Sequence, residues 1–391
     1  MGKGKSISRI SEKDSVEIGN TRLRLLLVEF DDQTSDTYTF IDNENSIGSL
    51  FVEAFSEGAT HSVFPAQKGY FVFKSYVNIQ AKYLRSLHPV NAEQSNSAFI
   101  SPGKLFFKLY RRLEAGIHPE AEILEQLSQK NFEAAPALYG SITYKSESGE
   151  SYTLGILEEL VQGMSDAWEK FNTDMNSEQA YVLGIKTAQM HKAFQGLDGY
   201  QTDEKFSDTV PLKKLEDLLF SARKSNDEAL RNLSQEVIDK LPLLKNKIQS
   251  LEESNFFPSK TSPLQKRQRI HGDYHLGQIL IGETPSQIKI LDFEGEPTRS
   301  LAYRRILRSP AVDIAGMLRS FRYASACSGI DSQNCERAFL EGYAQYTDID
   351  AAELEKNIAP YILAKAVYEA CYELEFRPNW FHIPAKALTN A

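Results

Sequence analysis

The chain has 391 residues and carries 44 lysines and arginines against 53 aspartates and glutamates, a formal charge of −9. That length suffices for two or three domains with a sizeable buried core, and 41% hydrophobic with 25% charged residues is the composition of an ordinary soluble protein. The acidic balance and the lack of a basic stripe with interleaved aromatics argue against nucleic acid as a partner, and no apolar run approaches the roughly 20 residues of a membrane span.

The opening Met-Gly-Lys-Gly-Lys-Ser lacks the apolar core of a secretory signal, because Ile7 to Val16 is broken by Arg9, Glu12, Lys13 and Asp14. It reads as a short disordered leader on a cytoplasmic chain. Cys327, Cys335 and Cys371 are odd in number and not closely paired, as expected of free thiols in a reducing compartment. Thr21 to Phe30 is strand-like, Asp31 to Asp36 is a turn, and Thr37 to Ile41 returns; a third strand over Gly69 to Val77 completes a small β-rich unit by about residue 88. Glu93 to Ser97 is a polar loop, and Lys104 to Tyr110 alternates like a strand that puts Lys104 and Lys108 on one face.

A helix starting at Pro119 offers Glu120 and Glu122 in its first turn. Tyr152 to Leu160 reads as an edge strand running into Val161-Gln-Gly163. The apolar residues Ala180, Leu183, Met190 and Phe194 mark an amphipathic helix over Ser177 to Phe194. His191 on that helix is expected to be a hydrogen-bonded structural histidine. Residues 211 to 254 are helical, with Pro242 expected to end or kink the run. Ser309 and Pro310 begin a helix carrying Asp313, Arg319 and Tyr323, and a last helix spans about 357 to 375.

The most informative stretch is Arg269 to Pro297. Two short β-branched runs, Ile279 to Ile281 and Ile288 to Leu291, flank the turn signal Gly282 to Ser286, which is how a hairpin is written. A hairpin draws Asp273 and Gln278 on one side toward Asp292 and Glu294 on the other. Phosphoryl transfer needs that kind of set: an acid to accept a hydroxyl proton, and oxygen ligands to hold magnesium against phosphates. A zinc-hydrolase reading of His271 and His275, four apart, is weaker: Gly272 and Gly277 spoil a ligand-bearing helix, and no Glu follows the first histidine.

His271-x-Asp273-x4-Gln278 followed by Asp292-Phe293-Glu294 resembles the catalytic and metal-binding loops of protein-kinase-like small-molecule phosphotransferases. The wording His-Gly-Asp-Tyr-His-Leu-Gly-Gln and Leu-Asp-Phe-Glu-Gly-Glu-Pro is similar to that of bacterial maltokinases. So are Lys-Ala-x-Tyr-Glu-x-x-Tyr-Glu and Arg-Pro-x-Trp near the C-terminus. Gln278 and Glu294 depart from the protein-kinase pattern, where Asn and Gly are usual, but both belong to the maltokinase one. The resemblance implies an α+β, bilobal protein-kinase-like fold: an N-terminal cap over 1–88, a nucleotide-binding lobe over 89–163, and a mainly helical lobe over 164–391.

The same resemblance implies roles. Asp273 is the base. Gln278, Asp292 and Glu294 hold Mg2+. Lys108, with Lys104 as competitor, meets the phosphates of ATP and pairs with Glu122, the family's position, rather than Glu120. Ser95, Asn96 and Ser97 cover the phosphates. Glu159 and Val161 present backbone to adenine. His271, Lys365, Tyr368, Tyr372 and Trp380 are the sugar contacts, and Asp313 ties its helix to the catalytic loop. The implied reaction is transfer from ATP to the anomeric hydroxyl of maltose, giving maltose 1-phosphate for glycogen or α-glucan metabolism. A functional association with a trehalose synthase and a monomer or weak dimer go with it. The rivals are the same machinery on glucosamine or an aminoglycoside, and a catalytically inactive kinase fold that binds a glucan enzyme.

Overall fold

The computed structural model describes residues 5–55, 59–90, 96–253, 264 and 266–390. The chain forms two compact units, Met1–Met164 with Leu291–Arg304, and Ser165–Ile290 with Arg305–Ala391.

Two sheets make up the first unit. Ile7–Ile18, Thr21–Phe30, Ser35–Ile41 and Arg112–Leu113 pair in that order as a four-stranded sheet. Of the expected leader Met1–Ser6, residues 1–4 lie outside the described residues; directly after it Ile7–Ile18 is a strand whose charged residues are interleaved with apolar ones, and Ile10, Val16 and Ile18 pair with Val28, Leu23 and Thr21. Asp14, buried between the charges that break the apolar run, accepts hydrogen bonds from the amides of Gln67 and Lys68 and from the Tyr144 hydroxyl.

The second sheet has seven strands, in the order His61–Pro65, Gly69–Ser75, Leu138–Ser146, Ser151–Glu159, Leu105–Leu109, Ser97–Ser101 and His88–Val90. Gly69–Ser75 therefore shares a sheet with Leu105–Leu109, and residue 88 marks no break between sheets. Ser151–Glu159 is an interior strand rather than the expected edge, in keeping with the burial of Leu154, Ile156 and Leu157. The period of two sorts its residues. Phe107 pairs with Phe99 and Leu157 on one face, where the Phe51 ring of the helix Ile47–Ala54 meets Phe107 edge-on at 4.8 Å. Phe106, Lys108, Ile156 and Glu158 take the other face.

In the second unit Ser165–Asp166 pairs with Ile279–Ile281, which forms the expected hairpin with Ile288–Ile290. Helices surround this small sheet. Glu228–Glu253 runs through Pro242 without ending. Its buried face, Val237, Leu241, Leu244 and Ile248, packs into one core with Leu363, Ala366, Val367 and Ala370 of the helix Ala351–Phe376. Helix Ser177–Phe194 lies against Gln333–Thr347 through two reciprocal glycines. A Cβ at Gly184 would stand 2.0 Å from the carbonyl oxygen of Phe339, and one at Gly342 would stand 2.0 Å from that of Tyr181. No helix among the described residues is long and apolar enough to cross a membrane.

Backbone atoms of a neighbouring helix cannot yield as a flexible side chain would, so Gly184→Ala must push the two helices apart. The expected cost is about 1–3 kcal/mol, read as a lowered urea midpoint; an unchanged midpoint would mean that the helices do not cross this closely.

Candidate active site

In the first unit the site is built around Lys108. Its strand position aims the side chain off the face opposite Phe107, and only 14% of it is exposed. The ammonium lies 2.6 Å from Asp292 Oδ1, 3.0 Å from Glu120 Oε2 and 3.2 Å from Glu294 Oε1. Lys108, not Lys104, is therefore the lysine at this cluster; Lys104 stands over the Tyr139 ring.

The glutamate partner is Glu120, not the expected Glu122. Helix Pro119–Gln129 buries Glu120, Ile123, Leu124 and Leu127, a stripe at i, i+3, i+4 and i+7 that must face the sheet. Glu122 lies roughly 200° around the helix from Glu120, off that stripe. Tyr110 completes the arrangement by donating its hydroxyl to Glu120 Oε2 at 2.6 Å, and its ring stacks on His118 at 3.9 Å between centroids.

The segment after the hairpin returns Asp292 and Glu294 to this unit. Asp292 has φ 60, a left-handed conformation that few residues other than glycine adopt and that Asp tolerates better than most; Phe293 between the two acids is buried. Arg304 Nη1 is 3.5 Å from Glu294 Oε2, and His118 Nε2 is 4.0 Å from the same oxygen. Burial opposes the charge on Lys108, but Glu120, Asp292 and Glu294 outweigh it and hold the ammonium well above its ordinary range. The carboxylates are pushed the other way. Burial, with Glu120 and Asp292 nearby, raises Glu294 to about 7 against the pull of Lys108, and burial likewise raises Glu120. Burial and then the charge of Lys108 drive His118 well below the usual histidine range, so its ring is neutral.

Three carboxylates thus share one ammonium, and their oxygens are the hard donors a divalent cation takes. No group of three His, Cys, Asp or Glu among the described residues forms a metal cage by itself. The chemistry of the donor set nevertheless fits such an ion arriving with phosphate, because the excess negative charge is what a cation would relieve.

The other expected nucleotide residues are placed less tellingly. Ser97 Oγ accepts from Arg111 Nε at 3.0 Å. Asn96 is half-buried just before that strand, and Ser95 lies outside the described residues. The Glu159 amide donates to the Ala137 carbonyl and the Glu159 carboxylate accepts from the Ala137 amide, while Val161 is half-buried just beyond.

In the second unit the loop carrying Asp273 is clamped from both sides. Asp313 takes the amide of His271 on Oδ2 at 2.7 Å and the amide of Gly272 on Oδ1 at 2.9 Å. Gly272 has φ 85, which allows the sharp turn that presents the next residue. His191 bonds Asp313 Oδ2 through Nε2 at 3.0 Å and the Tyr343 hydroxyl through Nδ1 at 3.0 Å. A carboxylate only accepts, so Nε2 carries the hydrogen and Nδ1 is free to accept from Tyr343. Burial raises Asp313, but the bond from His191, the electrostatic pull of the neighbouring imidazoles and the Gly272 amide win and hold it low. The Tyr274 hydroxyl bonds Thr187 Oγ1 at 2.8 Å, and Ser320 Oγ accepts the Leu276 amide at 3.0 Å.

Against this clamp the Asp273 carboxylate stays 29% exposed, with His275 Nε2 at 4.0 Å from its Oδ2. Gln278 closes the loop through its amide on the His275 carbonyl. His271, expected to touch the sugar, is instead buried to 1%, its ring against Tyr274; it belongs to the interior of the loop. His275, the other half of the zinc reading, uses Nδ1 to accept from the Gly277 amide.

The expected sugar residues sit on Ala351–Phe376 and just after it. Tyr361, Lys365, Tyr368, Tyr372 and Phe376 share one stripe, opposite the buried Leu363, Ala366, Val367 and Ala370. Lys365 Nζ lies over the Tyr368 ring at 5.1 Å. Arg377 stands over both Tyr372 and Trp380 at 5.1 and 5.0 Å, and Trp380 stacks on Tyr323 at 6.1 Å. Beside them the buried Arg319 lies 2.7 Å from Glu369, and the Tyr323 hydroxyl donates to Glu373.

The sheet-borne lysine with its helix glutamate, the Asp-Phe-Glu segment and the aspartate-anchored loop define a phosphotransferase with a protein-kinase-like fold. Residues 86–346 match the profile described as "Phosphotransferase enzyme family" (APH), and the chain belongs to that family. Among curated proteins it is 21% identical to a glucosamine kinase of Mycolicibacterium smegmatis over 87% of this chain and 88% of that one. It is also 21% identical to a glucosamine kinase of Streptacidiphilus jiangxiensis over 70% of this chain, an alignment that spans 65% of the relative's length. A solved glucosamine kinase superposes with a TM-score of 0.69 over 98% of this chain and 95% of that one at 18% identity, and one in complex with glucosamine, ADP and inorganic phosphate gives 0.68, over 98% and 94%, at 17%.

Glu294 sets a pH signature. Its pKa is raised from 4.5 to about 7, so between those values the folded chain holds a proton that the unfolded chain has released. Folding stability therefore falls as pH rises from about 4.5 to about 7 and levels off above. Thermal melts from pH 4.5 to 8 should show this fall in the wild type and a shallower one in Glu294→Gln; identical profiles would remove the shared-charge account of the cluster.

Proposed function

We propose that this chain transfers the γ-phosphoryl group of ATP to a hydroxyl of a small sugar, with an amino sugar of the glucosamine type as the first acceptor to consider. The observation that carries the reading is the coexistence of Lys108 bound to Glu120 and Asp292 with an exposed Asp273 on a loop fixed by Asp313. An inactive binding fold has no need to keep each of these. Two glucosamine kinases among the curated relatives support the acceptor. The aromatic stripe of the C-terminal helix suits it as well, since an ammonium is drawn to π faces.

Asp273 accepts the proton of the attacking hydroxyl and orients it, the role an acid of this kind has in phosphoryl transfer. Its anchorage through Asp313 and His191 fixes that orientation before substrate arrives. Lys108 takes charge from the phosphates, and Glu120 with Tyr110 holds the ammonium at the end of its stem. Asp292 and Glu294 are the residues proposed to hold magnesium, which neutralises phosphate charge when bound, and Gln278 offers a further oxygen donor of the kind such an ion takes. Tyr368, Tyr372 and Trp380 offer rings to the apolar face of a sugar, and Lys365 a donor to its hydroxyls.

Maltose is the second reading, carried by the maltokinase-like wording of Lys365 to Trp380. The two separate in one assay: ADP release from ATP and magnesium with glucosamine, maltose, glucose, trehalose or kanamycin as acceptor. Turnover with glucosamine supports the first reading and turnover with maltose the second, while silence with all five removes both. With the active acceptor, Asp273→Asn is expected to cost several orders of magnitude in kcat, and Gln278→Asn to be tolerated because both side chains offer an amide oxygen. Near-normal turnover in Asp273→Asn would overturn its role as the base.

A further inference from the structure

Arg304 is ten residues beyond Glu294 and sits outside every role assigned above, yet 90% of its side chain is buried. Its guanidinium spends its donors on one short stretch. Nε donates to the Arg299 carbonyl at 2.8 Å, Nη2 to the Pro297 carbonyl at 3.0 Å, and Nη1 to the Glu294 carbonyl at 3.4 Å and the Glu294 carboxylate at 3.5 Å. The loop is closed at its far end too, where Glu114 Oε2 accepts the Leu301 amide at 3.0 Å. Gly295, at φ 74, lets the chain turn in front of Arg304, whose Cβ would be 3.5 Å from a side chain placed there.

Only a planar fork with several donors can satisfy three carbonyls and a carboxylate from one centre; a lysine ammonium has neither the span nor the geometry. The consequence falls on Glu294. One of its oxygens is taken by Lys108 and the other faces Arg304, so the carboxylate is held between two cations. Without Arg304 the whole carboxylate would collapse toward Lys108, and the backbone that sets Asp292 and Glu294 would lose its brace.

We infer that Arg304 is the positioning residue for the Asp292–Glu294 segment in phosphoryl transfer, acting through Glu294 and without touching either substrate. The inference rests on the proposed kinase reading. A misplacement of catalytic groups by about 1 Å costs on the order of 100-fold, so Arg304→Ala should lower kcat by about 10- to 100-fold while the KM for the sugar changes less than about twofold.

The test is a double-mutant cycle on the full chain with ATP, magnesium and the active acceptor: wild type, Arg304→Ala, Glu294→Gln and both together, with Arg304→Lys as a fifth protein. The expected result is that Arg304→Ala has little further effect once Glu294→Gln is present. Arg304→Lys should stay impaired, and ethylguanidine in solution should restore part of the kcat of Arg304→Ala. Full additivity of the two substitutions, or a kcat for Arg304→Ala within twofold of the wild type, overturns the inference and leaves the kinase reading intact. An inactive wild type removes the reading itself, and with it the inference.

Discussion

The structure depends on one unfavourable concentration of charge. Glu120, Asp292 and Glu294 surround a single ammonium that is mostly removed from water, so the ion pairs are set against the hydration that the buried glutamates lose. Burial raises both glutamates despite the lysine beside them. An arrangement of this kind is poor evidence of stability and good evidence of work, since perturbed groups cluster where charge has to be met during a reaction. Everything around it reads as support: Tyr110 donates to the same Glu120 oxygen that faces Lys108, His118 stays neutral so as to add no positive charge of its own, and Arg304 braces the segment that delivers two of the acids.

The second unit solves a different problem, the rigid display of one acid. As the proposed base, Asp273 needs exposure to act and fixity to act selectively. The loop obtains fixity from its backbone, which Asp313 grips at two successive amides. That carboxylate is itself fixed by His191 and Tyr343, so three helices converge on two peptide bonds. The close crossing of Ser177–Phe194 and Gln333–Thr347, permitted by Gly184 and Gly342, is what brings His191 and Tyr343 within hydrogen-bonding distance.

How much of this was legible in the sequence follows from the range over which each feature is decided. The hairpin of Ile279–Ile281 and Ile288–Ile290 was legible because strand pattern and turn chemistry are local. Lys108, Asp292 and Asp313 were singled out through motif resemblance. What failed was decided at longer range. Ile7–Ile18 went unassigned as a strand because charges interrupt its apolar run, yet one of them, Asp14, is buried by partners more than fifty residues away. The preference for Glu122 ignored which helix face the sheet would claim, although Ile123, Leu124 and Leu127 already pointed to Glu120 by spacing alone. Pro242 is expected to end or kink its helix; the helix does not end there, and Val237 and Leu241 before it and Leu244 and Ile248 after it pack into one core.

The acceptor is where the two lines of inference part. Motif wording at the C-terminal helix points to a disaccharide, whereas the curated relatives act under the name of glucosamine kinases, and both draw on the same phosphotransferase machinery. The physical difference between the acceptors lies away from that machinery, in a second sugar ring or in an ammonium. A second ring needs additional length of surface, and the stripe from Tyr361 to Phe376 covers sixteen residues, about 22 Å of helix from first to last. An ammonium needs an acid not already committed, and here the acids are engaged: Glu369 is matched to Arg319 and Glu373 to Arg377 and Tyr323. Binding an amino sugar would require one of these to share its charge. Discrimination between acceptors is therefore expected to reside in the Arg319–Glu369 and Arg377–Glu373 pairs rather than in Asp273 or Lys108, whose chemistry is common to either sugar.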